Sequence, residues 1–216
     1  MKVKVKVRLL FLLSMVVVVT AINLNAQPDY VESMRRQEVK MQREATLQAA
    51  ADVSDSARAL KAKVDAQEYG AILEAVKTQD SSLIPYLKLV ASDEAARSRS
   101  GSFAFEAHVG LVKLGDAEAF SQILTEFEAE NRGLLNGASL MKLGLIANKQ
   151  AYRLLYTTLD NDFRPSSGAR DVFFPTRSVS AMSVLAITVK DPPTAKDTYN
   201  VQAWKAWFER NRHLID

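Results

Sequence analysis

Two histidines, no cysteine and no glycine-rich phosphate loop leave this chain few residues that could carry chemistry. His108 lies in the apolar run Phe103–Leu114, two residues after Glu106, and His213 lies close to the last residue. A zinc motif of the HExxH kind needs two imidazoles one helical turn apart, and that spacing does not occur. His108 therefore reads as a packing or surface residue rather than a ligand or general base. The lack of cysteine excludes thiol catalysis, disulfides, Cys-ligated zinc, iron–sulfur sites and the lipid-modified cysteine of a lipoprotein. Ser/His or metal-assisted hydrolysis has little material. Asp160-Asn161-Asp162 supplies the opening acceptors of a calcium loop, but Arg164 takes the next acceptor position and Pro165 stands where glycine is required. That segment reads as a helix end and turn. The eight glycines are scattered and form neither GxGxxG nor GxxxxGK. No cofactor or metal is expected, and the chain reads as non-enzymatic.

Residues suited to binding are better represented. Phe163, Arg164, Arg170, Phe173 and Phe174 fall within Asn161–Thr176, an irregular stretch with Arg177 just beyond it. Helix–helix connections usually run about 2–8 residues, and this one is about twice that. Long loops on a rigid scaffold tend to carry function, and aromatic and Arg side chains dominate interface energetics. These six residues form the candidate partner-binding set. The alternative is that Phe173 and Phe174 fold back over a core edge. Trp204, Trp207 and Phe208 lie at i, i+3 and i+4, the pattern of a cap sealing the end of a stacked core, with a ligand-stacking platform as the alternative. Met34–Arg43 is basic in its middle, but Glu32, Glu38 and Glu44 interrupt the run, so it reads as a solvated helix rather than a membrane-surface or partner helix.

The elements that position these residues begin after an apparent leader. Lys2, Lys4, Lys6 and Arg8 precede an apolar run from Leu9 to Val19, extended to Ile22, and Ala26 offers a small residue at a cleavage point. The apolar part, roughly 14 residues, is short against the roughly 20 that span a bilayer. Residues 1–26 are therefore expected to be a signal peptide, with an uncleaved membrane anchor as the alternative. The whole chain carries 28 basic and 25 acidic residues. The leader holds four of the bases and no acid, which leaves 24 against 25 and a net charge of −1. Without a basic excess in the remainder, a nucleic-acid partner is not expected. The composition, 48% hydrophobic and 25% charged, is that of a globular chain.

Beyond the leader the hydrophobic spacing is helical throughout, and no two-residue alternation is sustained. Residues 30–65 are rich in good helix formers, with a break expected near Val53–Ser56. Leu83, Ile84, Leu87, Val90 and Ala91 make one apolar face, with Ser81 or Ser82 as cap and Pro85 in the first turn. Ser102–Leu114 is apolar on most sides. Ala119, Phe120, Ile123, Leu124 and Phe127 are single-faced, with Glu126, Glu128 and Glu130 on the polar side. Gly133–Ala147 is broadly apolar, Tyr152–Leu159 single-faced and Arg177–Val189 apolar again. The turn residues Asp80, Asp116, Asn148 and Asp191 stand 36, 32 and 43 residues apart. Helix pairs repeating every 30–45 residues describe an α-solenoid, in which stacking buries the faces that one pair cannot.

Leu83-Ile84-Pro85-Tyr86-Leu87, followed by Asp93-Glu94, Arg97, Ala104, Ala107, Leu111 and Leu114-Gly115-Asp116, resembles a HEAT repeat. The closing Ala203–Asn211 segment is similar to the last helix of some bacterial HEAT-like proteins. The resemblance covers roughly residues 67–212. It implies an all-α, short right-handed α-solenoid of antiparallel helix pairs (armadillo-like helical), with Asp93 and Arg97 linking neighbouring units. An N-terminal helical extension (27–66) would precede it and a capping helix would close it. The family implies a binding or scaffolding role without a shared catalytic site.

The expected function is an exported (periplasmic or secreted), non-catalytic protein-binding scaffold with a protein partner. The alternatives are an enzyme-accessory subunit of the kind some HEAT-like lyase proteins provide, or a membrane-tethered structural protein if the leader is retained. The leader reading fixes a mature N-terminus at Gln27. Intact-mass measurement of exported protein should find residues 1–26 missing, and their retention sinks the signal-peptide reading in favour of the anchor.

Overall fold

The computed structural model describes residues 28–132, 138–162 and 176–216. Among these residues every regular element is helical and no strand occurs. The chain divides into two compact units, Met1–Thr46 and Leu47–Asp216. In the first, helix α1 (Pro28–Ala51) exposes every side chain from 32 to 46. Its sequence favours helix intrinsically, and Arg36 pairs with Glu32 one turn away at 2.6 Å.

The second unit begins within the last turn of α1. Asp52 and Val53 break the helix, and Ser54 restarts it as α2 (Asp55–Asp65), its hydroxyl accepting from the Ala57 N–H at 3.1 Å. The break falls where the sequence places it. Ala57 and Leu60 of α2 are buried within the second unit. A short helix follows: α3 (Ala71–Ala75) continues as a 3₁₀ turn to Thr78. Helix α4 (Ile84–Ala91) carries Pro85 in its first turn, where no intrahelical N–H is needed.

Helices α5 (Glu94–Arg97), α6 (Phe103–Lys113), α7 (Ala117–Asn131), α8 (Ser139–Ile146), α9 (Lys149–Thr158), α10 (Arg177–Thr188) and α11 (Val201–Arg210) complete the unit. Three of the four spaced turn residues share one physical role. Asp80 accepts from the Ser82 N–H at 2.9 Å and so caps the turn leading into α4, in place of Ser81 or Ser82. Asp116 caps α7 through the Ala119 N–H at 2.9 Å, and Asn148 caps α9 through that of Ala151 at 2.8 Å. Asp191 departs from the series. Its φ is 53°, Asn200 caps the following helix, and its carbonyl accepts the indole N–H of Trp207 at 2.8 Å. Gly115, at φ 88°, closes α6: its N–H reaches the Val112 carbonyl, and the Asp116 N–H reaches that of Leu111, both at 3.0 Å.

Helix α6 packs on α3, α4, α7 and α8; α8 packs in turn on α7, α9 and α10. The core accordingly falls into two apolar clusters, and α6 serves both. Ala107 and Leu111 enter the cluster of Leu60, Ile72, Leu83 and Leu87. Phe105 and Val109, on the opposite side of the helix, enter that of Ile123, Leu143, Leu155 and Leu185. This is why its sequence is apolar on most sides. Trp204 and Phe208 are fully buried at the far end of the second cluster, and the Trp204 indole donates to the Thr198 carbonyl at 2.7 Å. Trp207, 5% exposed, is buried beside them.

Helix α8 approaches α10 closely because Gly144 has no side chain. A Cβ built there would lie 2.4 Å from a Val184 methyl and 3.1 Å from Thr188 Cγ2. Overpacking of this kind typically costs about 1–3 kcal/mol, against up to ~1 kcal/mol gained in helix propensity. Gly144→Ala should therefore lower the melting temperature by several degrees, and Val184→Ala in the same chain should recover part of the loss. If Gly144→Ala raises the melting temperature, the close approach is not a constraint on the fold.

Candidate functional site

Helix α6 places His108 against α7, and α8 places Lys142 beneath it. Both side chains are buried, at 1% and 0% exposure. Lys142 Nζ lies 3.2 Å from His108 Nδ1 and 2.5 Å from Glu126 Oε2, on α7. The remaining imidazole nitrogen, Nε2, lies 3.0 Å from the Ala119 carbonyl. An ammonium only donates and a carbonyl only accepts, so Nδ1 is the acceptor and Nε2 carries the proton. Both contacts are thus met by a neutral imidazole. Burial, then the charges of Lys142 and Arg97, push the His108 pKa down to about 4. Burial likewise lowers that of Lys142, opposed by the hydrogen bond and charge of Glu126.

His108 also lines a cleft of about 200 Å³, together with Lys88 of α4, Arg97 of α5, and Asp116, Glu118 and Gln122 at the start of α7. Arg97 Nη1 donates to Gln122 Oε1 at 2.8 Å. Lys88 Nζ lies 2.9 Å from Asp116 and 3.9 Å from Glu118, and the Asp116 hydrogen bond and charge raise its pKa. The Asp116 pKa is lowered: burial alone would raise it, but the Ala119 N–H and Lys88 outweigh that. The cleft therefore mixes fixed cations and anions around one neutral imidazole.

A second polar cluster joins α7, α8 and α10. Glu130 Oε2 accepts from Arg177 Nη1 at 2.8 Å and from the Ser139 hydroxyl, and its Oε1 accepts from the Ser139 N–H at 3.1 Å. Arg177 Nε donates to Asn131 at 2.9 Å, and the guanidinium sits 5.5 Å from the centre of the Phe127 ring. The sequence groups Arg177 with a partner-binding loop. The structure places it inside, 5% exposed, with its donors directed to Glu130, Asn131 and Ser139. A guanidinium so placed reaches a partner only by leaving the buried Glu130 carboxylate without its counter-charge. Phe163, Arg164, Arg170, Phe173 and Phe174 lie outside the described residues. Glu126 and Glu130, read as a polar outer side of α7, turn inward to Lys142 and Arg177; Glu128 remains exposed.

Sequence reasoning assigns His108 to packing and overlooks Lys142 entirely. The available signal is that Lys142 is the only charged residue in Leu140–Ile146. Asp160, in the turn after α9, pairs with Lys205 of α11 at 2.7 Å. Among the described residues no cluster of three or more His, Asp or Glu is arranged to hold a metal ion, and no helix is long and apolar enough to cross a membrane. The chain matches no family model, no curated protein and no solved structure.

The His108 arrangement sets a pH dependence. Its folded pKa of about 4 lies below the ordinary value of 6.5, so between those values the unfolded chain binds a proton that the folded one refuses. The associated stability is complete above pH 6.5 and is lost as the pH falls towards 4, by about 3 kcal/mol in all. His108→Gln should flatten the fall in stability between pH 6.5 and 5, where most carboxylates are still ionised. In the wild-type chain, NMR should find the His108 ring neutral at pH 5.5, and a midpoint near 6.5 disproves the buried neutral state.

Proposed function

We propose that the chain is an exported, non-catalytic protein-binding scaffold built on HEAT-like helix pairs. The observation that carries this reading is the serial packing of α6 on α8 and α8 on α10, with polar ties crossing each step. Such stacking lets each apolar helix complete the core of the next, as in a solenoid. Arg97 reaching from α5 to Gln122 of α7 fits the inter-unit role that the resemblance assigns to it. Lys113 of α6 adds a similar link, donating to the Leu145 and Ile146 carbonyls at the end of α8, at 2.7 and 3.3 Å. The polar side chains at the heart of the fold are thereby committed to joining helices, which suits a rigid surface for a partner better than a reacting centre.

On this reading Phe163, Arg164, Arg170, Phe173 and Phe174 supply the partner contact, on the argument from residue type and loop length. Mature chain immobilised on a support should retain a stable protein partner from the exported fraction. Replacing residues 163–174 with a short Gly/Ser linker should reduce that recovery several-fold while shifting the melting temperature little. Full recovery with the linker, or collapse of stability, removes the loop from the contact. Failure of the unaltered chain to retain any protein overturns the scaffold reading itself.

A further inference from the structure

The chain between α2 and α3 runs against the first turns of α6 as a short strap, Gln67–Gly70. Gln67, at φ 59°, and Gly70, at φ 83°, turn it at either end. Residues 67–69 are exposed, and two contacts tie the strap to α6. The Tyr69 ring stacks on that of Phe103, with centres 5.1 Å apart and planes 2° from parallel. The Gly70 N–H donates to Glu106 Oε1 at 2.8 Å. Phe103 and Glu106 stand one turn apart on α6, so the two contacts fall side by side. Glu106 is an unusual anchor. It is 4% exposed, and its second oxygen, Oε2, is buried without a hydrogen-bond partner. A carboxylate so placed carries a charge that its surroundings only partly compensate. Charged groups on the elements around α6 are engaged elsewhere. Glu74 of α3 pairs with Lys77, Lys88 of α4 with Asp116, and Lys142 of α8 with Glu126 of α7. Arg97 of α5 bonds Gln122, Lys113 of α6 bonds the last carbonyls of α8, and Glu68 of the strap is exposed. Burial raises the Glu106 pKa, and the N–H groups of Gly70 and Ile72 only partly oppose it.

We propose that the strap Gln67–Gly70 is a pH-sensitive latch on α6, pinned through Glu106, that closes when this carboxyl takes a proton and loosens when it ionises. Closing the strap buries the carboxyl, and opening returns it to water. An acid that holds its proton more tightly when buried is buried more easily at low pH, so acidification favours the closed form. The gain is absent above the raised pKa and develops as the pH falls through it towards the ordinary value of 4.5. Opening uncovers the Phe103 ring and the Glu106 carboxylate together, so the surface presented at this end of α6 depends on pH. The sign is opposite to that of His108, whose proton uptake weakens the whole fold on acidification. Local latch and global stability are therefore separable. The latch goes beyond the scaffold reading and does not depend on it.

Amide hydrogen exchange read by NMR tests the latch in the folded chain. Protection, corrected at each pH for the exchange of the unfolded peptide, follows local opening at Gly70 and opening of the whole fold at Leu143, which is fully buried in α8. Between pH 7 and pH 4.5 the protection of Gly70 should rise several-fold, while that of Leu143 holds or falls. Over the same range the Tyr69 ring protons should move upfield as the stack on Phe103 fills. Glu106→Gln keeps an oxygen for the Gly70 N–H and cannot ionise, so its Gly70 protection should no longer vary with pH. Protection at Gly70 that stays constant or falls on acidification overturns the proposal, whether or not Glu106→Gln folds. A rise at Gly70 matched at Leu143 also overturns it, as a change in the whole fold. So does a pH dependence at Gly70 that survives undiminished in Glu106→Gln.

Discussion

The fold turns on the burial of one amine. Lys142 is fully enclosed, and an isolated ammonium in such a place would be strongly destabilising. It is tolerated because α7 brings Glu126 to 2.5 Å and α6 brings the unprotonated nitrogen of His108 to 3.2 Å. Three helices must therefore hold a fixed register before the amine is satisfied, and the amine in turn disfavours any other register. A leucine at the same position would fill the space without selecting among packings. Stability alone does not explain such a network, since apolar replacement of buried ion pairs is often neutral or better. Its contribution is to specify which turn of α8 meets which turn of α6 and α7.

The same logic recurs one step along the chain. Glu130 and Arg177 join the end of α7 to the starts of α8 and α10, and Ser139 takes both carboxylate oxygens of Glu130. Lys113 satisfies the last carbonyls of α8, which would otherwise lack partners. Between these polar ties the contacts are apolar and close, to the point that Gly144 admits no methyl group beside Val184. Apolar packing brings the helices together and the buried charges fix their register.

Much of this architecture is legible in the sequence because it depends on short-range rules. Asp80, Asp116 and Asn148 act as caps at the turns their spacing marks, and the apolar circumference of α6 announces a helix packed on two sides. The candidate site is less legible because it depends on long-range pairing. Glu126 and Glu130 read as solvent-facing from the helical period alone. They turn inward because cations 16 and 47 residues away meet them. Arg177 is misplaced for the same reason: its type suits an interface, but Glu130 claims it first. The burial of Ala57 and Leu60 is equally hard to read, since they are ordinary helix residues until Ile72, Leu83 and Leu87 join them in one cluster.

A cleft between stitched helices inherits the charges that do the stitching. Arg97 and Asp116 each complete a local task, one reaching across to α7 and the other capping it. Lys88 of α4 meets Asp116 at 2.9 Å while Arg97 of α5 meets Gln122 at 2.8 Å, so two successive segments are tied to the same end of α7. The cleft at this junction is lined by these same groups. The charges that line the cleft are therefore accounted for by the junction itself: each is spent on a cap or on a tie between segments, and a cleft opens there because charged ends, unlike apolar faces, cannot be packed against one another without counter-charges.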